Sequence, residues 1–358
     1  MMQNITYLFG AGASFHSCPI WKEQAEKMTS ISSAIDSIDI ESKKYEELNN
    51  KEKIIWLISY FGKKANEFNT IDTYARKLYL LNRTAELNRL KAAVSCFFTI
   101  WSNYRNNQWT KRQKGLLGVE FELIDPRYIN LLATYLEKGD DYPVLKENVH
   151  FVTWNYDLQL ESAYLKFADL EPDDFDKIND NFPFIHREGV QKELDVCHLN
   201  GFYGFFDREP KPNIKFYDGE LTDIENLLGE LEFVIKILDG DEEIVKNHIN
   251  YAWEKDSDLA NFSRKHAQHI FSKTEILVVV GYSFPPFNHE IDKELFSKLK
   301  RSGKLKRVII QDPNADESFI SETFGIPKDK IQVVSESLDQ FVIPHYHETK
   351  KKGMTVIN

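Results

Sequence analysis

Cysteine is scarce in this sequence. Cys18, Cys96 and Cys197 are the three in 358 residues, and no two of them form a Cys-x-x-Cys pair. That excludes a disulfide framework and a four-cysteine zinc site, so the thiols are expected buried and free. Long apolar runs are missing too. The longest, Ile276-Leu277-Val278-Val279-Val280, has the length of a strand and falls far short of the about 20 residues of a membrane span. No basic segment followed by an apolar run stands at the N-terminus, so secretion is not expected and a cytoplasmic location is. Positive charge is in deficit: the formal net charge is −11, which disfavours nucleic acid as a direct partner. The run Lys350-Lys351-Lys352 is short enough to be solvated. His266 and His269 lie one helical turn apart without a third ligand, so no metal site is expected. Internal repeats and low-complexity segments are absent.

What is present suits a large globular unit. Hydrophobic residues make up 42% of the chain, enough for a real core, and the length allows one large or two ordinary domains. Strand character is read at residues 4–9, 149–153, 194–199, 275–280, 307–310 and 331–334. Helical spacing of apolar residues is read at 11–28, 46–68, 71–81, 87–101, 128–136, 259–271 and 290–299, with a polar loop at 103–118 that holds Gly115 and Gly118. Strands alternating with helices predict an α/β, Rossmann-like parallel sheet with helices on both faces. Residues 1–30 and 146–345 are expected to form the sheet domain, 31–145 a large helical insertion after the first strand–helix unit, and 346–358 a C-terminal tail. The acidic, aromatic-rich stretch 205–258 is read as a second, smaller insertion.

Four strand ends carry candidate chemistry. The apolar strand at 5–9 runs into Gly10-Ala11-Gly12-Ala13-Ser14. Gly-x-Gly at such a turn is suited to a diphosphate: the first Gly allows the turn, the second lets the backbone approach, and a helix N-terminus offers free N–H groups. The third Gly of the full dinucleotide fingerprint is absent. The strand at 149–153 delivers Thr153, Asn155 and Asp157 at alternate positions, hence to one side of the sheet edge. An amide and a carboxylate there can bond a ribose or position a water, or they can cap the helix expected near Leu158. At the third strand end His198 and Asn200 share one face ahead of Gly201. His198 is either a general base or a satisfied histidine of the strand edge. The fourth, Gly281-Tyr282-Ser283-Phe284-Pro285-Pro286, places Gly281 for close approach and Ser283 for a phosphate or ribose. A serine nucleophile is disfavoured, because the glycine after the serine and the helix that follows are both missing. Asp312, ending the strand at 307–310, suits ribose hydroxyls or starts the turn at Pro313-Asn314.

Taken in this order, the segments resemble the sirtuin-like (silent information regulator type) family, in particular its bacterial branch of NAD-consuming anti-phage defence proteins. Gly10-Ala11-Gly12-Ala13-Ser14 is similar to the family's phosphate loop, and Thr153-Trp154-Asn155-Tyr156-Asp157 to its Thr-x-Asn-x-Asp motif. His198-Leu199-Asn200-Gly201 is similar to its His-Leu-His-Gly segment, Gly281-Tyr282-Ser283-Phe284-Pro285 to its late loop, and Asp312-Pro313 to the Asn-Pro near the adenosine ribose. The resemblance spans residues 5–20 and 149–335. It implies a fold that binds NAD as substrate and cleaves the nicotinamide–ribose bond. Asn155, His198 and Asp157 would be catalytic; Gly10, Ala11, Gly12, Ser14, Thr153, Asn200, Gly281, Ser283 and Asp312 would bind the nucleotide. It further implies an effector that is held off until triggered, through a homo-oligomer or a partner such as a ring-forming ATPase or an Argonaute-like protein. Two departures stand out. Asn200 occupies the position of the family's catalytic histidine, so that His198 takes over the base role, the site is weak, or the chain is an inactive NAD-binding sensor. The missing cysteines argue against the zinc-bearing lysine deacylases.

Overall fold

The structure, a computed structural model, describes residues 3–35, 40, 43–104, 109–111, 121–186, 193–206, 212–213, 224–240, 247–254, 258–336 and 338–344. The expected tail at 346–358, with Lys350, Lys351 and Lys352, lies outside the described residues, as do Gly115 and Gly118 of the expected loop.

The sheet strands are β1 (Ile5–Phe9), β2 (Val149–Thr153), β3 (Val196–His198), β4 (Ile276–Val280), β5 (Arg307–Gln311) and β6 (Ile331–Val334). Among the described residues they form one six-stranded, all-parallel sheet in the order β6-β5-β4-β1-β2-β3. The chain winds outward from β1 in one direction through β2 and β3, then restarts beside β1 at β4 and winds the other way. This is the doubly wound, Rossmann-like order, and its switch point lies between β1 and β4.

The helices are α1 (Trp21–Thr29), α2 (Asn50–Glu67), α3 (Ile71–Leu80), α4 (Thr84–Asn103), α5 (Pro126–Tyr135), α6 (Gln159–Phe167), α7 (Phe175–Asn181), α8 (Ile224–Asp239), α9 (Asp258–Lys273), α10 (His289–Arg301) and α11 (Glu317–Phe324). Local chemistry sets where they start. Asn49 and Glu52 cap α2 reciprocally, with Glu52 N donating to Asn49 Oδ1 at 3.0 Å. Asp125 caps α5, with Pro126 at its first position.

Strand alternation sorts the core into two layers. Ile5, Tyr7 and Phe9 of β1 and Ile276, Val278 and Val280 of β4 face a large core shared with α1 to α8. Leu8, Leu277 and Val279 face a second core with α9, α10 and α11. Strands covered on both sides read as unbroken apolar runs, which is why their positions are clear in the sequence.

One expected helix is different. Residues 11–28 divide into a short 3-10 helix, Ala11–Ser14, and α1, which starts at Trp21. Pro19 lies between them; its ring disfavours the helical conformation for Cys18 and removes a donor. No long helix therefore begins at the glycine loop. No helix among the described residues is long and apolar enough to cross a membrane.

Candidate functional site

The carboxyl ends of β1, β2, β3, β4 and β5 open onto a cleft at the switch point, where ligands bind in sheets of this kind. Two cavities occupy it. An inner cavity of about 340 Å³ is lined by strand-end residues Ala11, Asn155, Asp157, Asn200, Gly281 and Ser283, and by residues 69–73 at the start of α3. An outer cavity of about 800 Å³ runs past Gly12, His16 and Arg127 to Asp312, Asn314 and Asp316. Ile20, Gly281, Tyr282 and Ser283 line both, so the cavities meet at the Gly281 loop.

The glycine loop is held by that junction. Gly12 N donates to Gly281 O at 2.9 Å, and Gly10 N to Val280 O at 3.0 Å. A Cβ on Gly10 would lie 2.6 Å from Gly281 O, and one on Gly12 2.8 Å from Gly281 Cα. Gly10 is extended, with φ −117°. The glycines are thus required by the approach of the Gly281 backbone, which takes up the Gly12 amide. Gly12 and Ala11 still reach the cavity walls. Arg127 braces the loop from the outer side: its Nη2 donates to Ala13 O at 2.8 Å and to Asp125 Oδ2 at 2.7 Å.

Asn155 ties this loop to β2. Its Nδ2 donates to Gly10 O at 3.0 Å and to Ser14 Oγ at 3.2 Å, so both donors are used and the acceptor oxygen remains for a ligand. Thr153 Oγ1 accepts from Asn155 N at 3.0 Å and fixes the turn. Asp157 Oδ1 accepts from the N–H of Gln159, the first residue of α6, at 3.2 Å, while the residue also lines the inner cavity. Burial pushes its carboxyl up to about 6, against hydrogen bonds from Ser14 and the Gln159 amide. Asn200 is buried, and its Oδ1 finds no partner among the described residues.

Four predicted site residues stay off the cavity walls, Gly10 of the glycine loop among them. Ser14 is fully buried and its hydroxyl pairs with Tyr128 Oη at 3.1 Å beneath the loop. Thr153 is buried and supports Asn155. His198 is 2% exposed, with Nε2 paired to Glu161 Oε1 at 2.8 Å and Nδ1 3.4 Å from Asn155 O. Phe184 and Phe202 pack edge-on against its ring. The strand alternation puts His198 and Asn200 on one side, but the aromatic pair closes over the imidazole, and Asn200 is the one that reaches the cavity. Ser283 is exposed at the junction, and Asp312 stands at the far end of the outer cavity, where its Oδ1 also accepts from Asn314 N at 2.8 Å.

Other wall residues carry no motif. Asp72 of α3 accepts from Tyr156 Oη at 3.2 Å, and burial pushes its carboxyl up to about 6. Gln24 of α1 turns a buried Nε2 with no partner among the described residues into the same wall region. The floor is Trp154 stacked on Tyr282 at 6.0 Å between ring centroids. Below it Asp292 accepts from Trp154 Nε1 at 3.2 Å and from Tyr282 Oη at 2.7 Å. Asp292 is fully buried, which pushes its carboxyl up to about 8. Among the described residues no group of three or more His, Cys, Asp or Glu is placed to hold a metal ion, and the three cysteines are buried and form no disulfide.

Fold and cleft together define a Rossmann-like α/β protein with a bipartite site at the sheet's switch point. No family model matches the chain, and no curated protein matches it. Among solved structures the chain is similar to Sir2Tm bound to a propionylated peptide, with 14% identity and a TM-score of 0.38 over 98% of this chain and 92% of that one. It is also similar to a Sir2 variant with a deacetylated p53 peptide and 3'-O-acetyl ADP-ribose, with 13% identity and a TM-score of 0.37 over 98% of this chain and 93% of that one.

Proposed function

We propose that the chain is an NAD+ hydrolase that cleaves the nicotinamide–ribose bond to give nicotinamide and ADP-ribose. The observation that carries this reading is the pair of cavities joined at residues 281–283 on the switch point of the sheet. The inner one is acid-lined and without a lysine or arginine among the described residues, and the outer one ends at Asp312. A ligand with a cationic ring at one end and a ribose-bearing base at the other suits both halves. The residues that resemble the sirtuin-like motifs fall around this one cleft, which supports the same ligand.

Bond cleavage moves positive charge from the pyridinium ring to the ribose, as in glycoside hydrolysis, and releases neutral nicotinamide. The acceptor oxygens of Asn155 and Asn200 and the carboxylate of Asp157 suit that developing charge. Water adds at the anomeric carbon and loses its proton to Asp157. A carboxyl pushed up to about 6 holds a proton near neutral pH better than an ordinary aspartate and so suits general-base work. His198 then acts as a positioning residue, through Glu161 and the Asn155 backbone. NAD is the substrate, and Gly12, Ser283 and Asp312 suit its diphosphate and adenosine side. The motif resemblance supports an anti-phage effector that depletes NAD when triggered, controlled by assembly into a homo-oligomer or by a ring-forming ATPase or other defence partner.

One observation favours a second reading. Asn200 stands where the family's histidine is expected, and the His198 ring faces Glu161. On this second reading the chain is a non-catalytic NAD- or ADP-ribose-binding regulatory subunit. Product analysis separates the two. Nicotinamide release that disappears in Asn155→Ala supports the hydrolase, whereas tight NAD+ binding by the wild type with no release supports the regulatory subunit.

A further inference from the structure

The inner cavity has two walls from distant parts of the chain. One is made of strand-end loops; the other is the start of α3, in the helical region between β1 and β2. Asp72, in the first turn of α3, is the carboxylate of that second wall. The Tyr156 hydroxyl donates to its Oδ1 at 3.2 Å and holds it against the loop that carries Asn155 and Asp157. No lysine, arginine or histidine lines this cavity among the described residues, and neither Asp72 nor Asp157 has an ion-pair partner there. Sequestered carboxylates without a cation cost free energy. A cation between them recovers it, and the faces of Trp154 and Tyr282 add to the attraction.

The oxidised and reduced nicotinamide rings differ little in size and by one full positive charge. Shape separates them poorly, whereas a carboxylate separates them well. Resting on the nucleotide reading above, we propose that Asp72 is a specificity-determining residue that selects the cationic, oxidised nicotinamide ring over the neutral, reduced one. The helical region thereby supplies the charge discrimination of a site to which the strand ends contribute Asn155, Asp157, Asn200 and Ser283. An NAD+-consuming enzyme with this device is not blocked by NADH.

The test is calorimetric titration of the full chain with three probes: carba-NAD+, which keeps the cationic ring but resists cleavage, NADH, and ADP-ribose, which lacks the ring. The wild type is expected to bind carba-NAD+ at least about tenfold more tightly than NADH. Asp72→Asn brings the two within about threefold, while ADP-ribose binds both proteins equally, which also shows that the variant is folded. Tyr156→Phe keeps the carboxylate and retains the preference; its loss in that variant would make the hydrogen bond, not the charge, the determinant and overturn the proposal. An unchanged carba-NAD+ to NADH ratio in Asp72→Asn, with ADP-ribose still bound, overturns this inference alone. A wild type that binds no ADP-ribose overturns the nucleotide reading and this inference with it.

Discussion

Asp157 serves two purposes because a carboxylate has two oxygens. One accepts the Gln159 amide at the start of α6, and the residue still lines the inner cavity. Burial pushes its carboxyl, like that of Asp72, up to about 6. Both must be ionised in the proposed reaction, so kcat/KM is expected to fall as pH drops through about 6, a trend that a pH–rate profile from pH 5 to 8 measures; a flat profile over that range would contradict the assignment. Asp292 offers a test of a different kind. Its carboxyl is pushed from an ordinary 3.8 up to about 8 by burial under Trp154 and Tyr282. The native state keeps a proton that the unfolded chain releases, so this contribution to stability is full below about pH 4 and is lost as pH rises toward 8. Asp292→Asn is expected to flatten the decline of thermal stability between pH 5 and 9, with a gain of about 1–3 kcal/mol at pH 8. A variant that melts with the wild-type pH dependence would count against the buried acid. At this scale the sequence is partly legible. Strand alternation brings Asn155 and Asp157 to the sheet edge, but it gives the face of His198 without the depth of its ring. Asp72, Gln24 and Asp292 carry no motif and become site residues through tertiary contact alone.

At the scale of elements, the cleft depends on the contact between two loops, 10–14 and 281–285. Gly281 has φ +57°, and a Cβ on it would lie 2.3 Å from Gly12 C. Gly281→Ala is therefore expected to cost about 2–4 kcal/mol and to weaken ADP-ribose binding at least tenfold, since it pushes apart the loops where both cavities meet. Thermal melting and titration measure the two effects; wild-type behaviour in both would refute the close packing. The central strands are readable because they are buried on both faces, and the edge strand β6, only partly buried, because it is still a short apolar run bounded by polar residues. The glycine loop is misread as the start of a long helix, since the apolar spacing continues past Pro19 while the backbone cannot. The helix α8 is hidden in the acidic, aromatic composition of residues 205–258, and α7 and α11 are too short for periodicity to stand out. The pairing of Gly12 with Gly281 is invisible in a linear sequence.

At the scale of the whole molecule, the helical region and the sheet form one construction. The large core continues from β1 and β2 into α2, α3 and α4. Polar contacts brace α2 against α8: Lys51 pairs with Glu225 at 3.0 Å and Lys53 with Asp239 at 2.7 Å. The start of α3 is thereby held over the strand ends, and residues 69–73 and Phe98, far from any sheet motif, supply part of the inner cavity's wall. This arrangement places acids and aromatics on one side of the Gly281 loop and Asp312 on the other, as the proposed NAD+ site requires. The most direct test is the initial rate of nicotinamide release from NAD+ by the purified full chain, beside Asn155→Ala. Nicotinamide and ADP-ribose are expected in equal amounts from the wild type, with a loss of at least about a hundredfold in the variant. NAD+ that binds in the cleft and is never cleaved, at any protein concentration, would contradict the hydrolase.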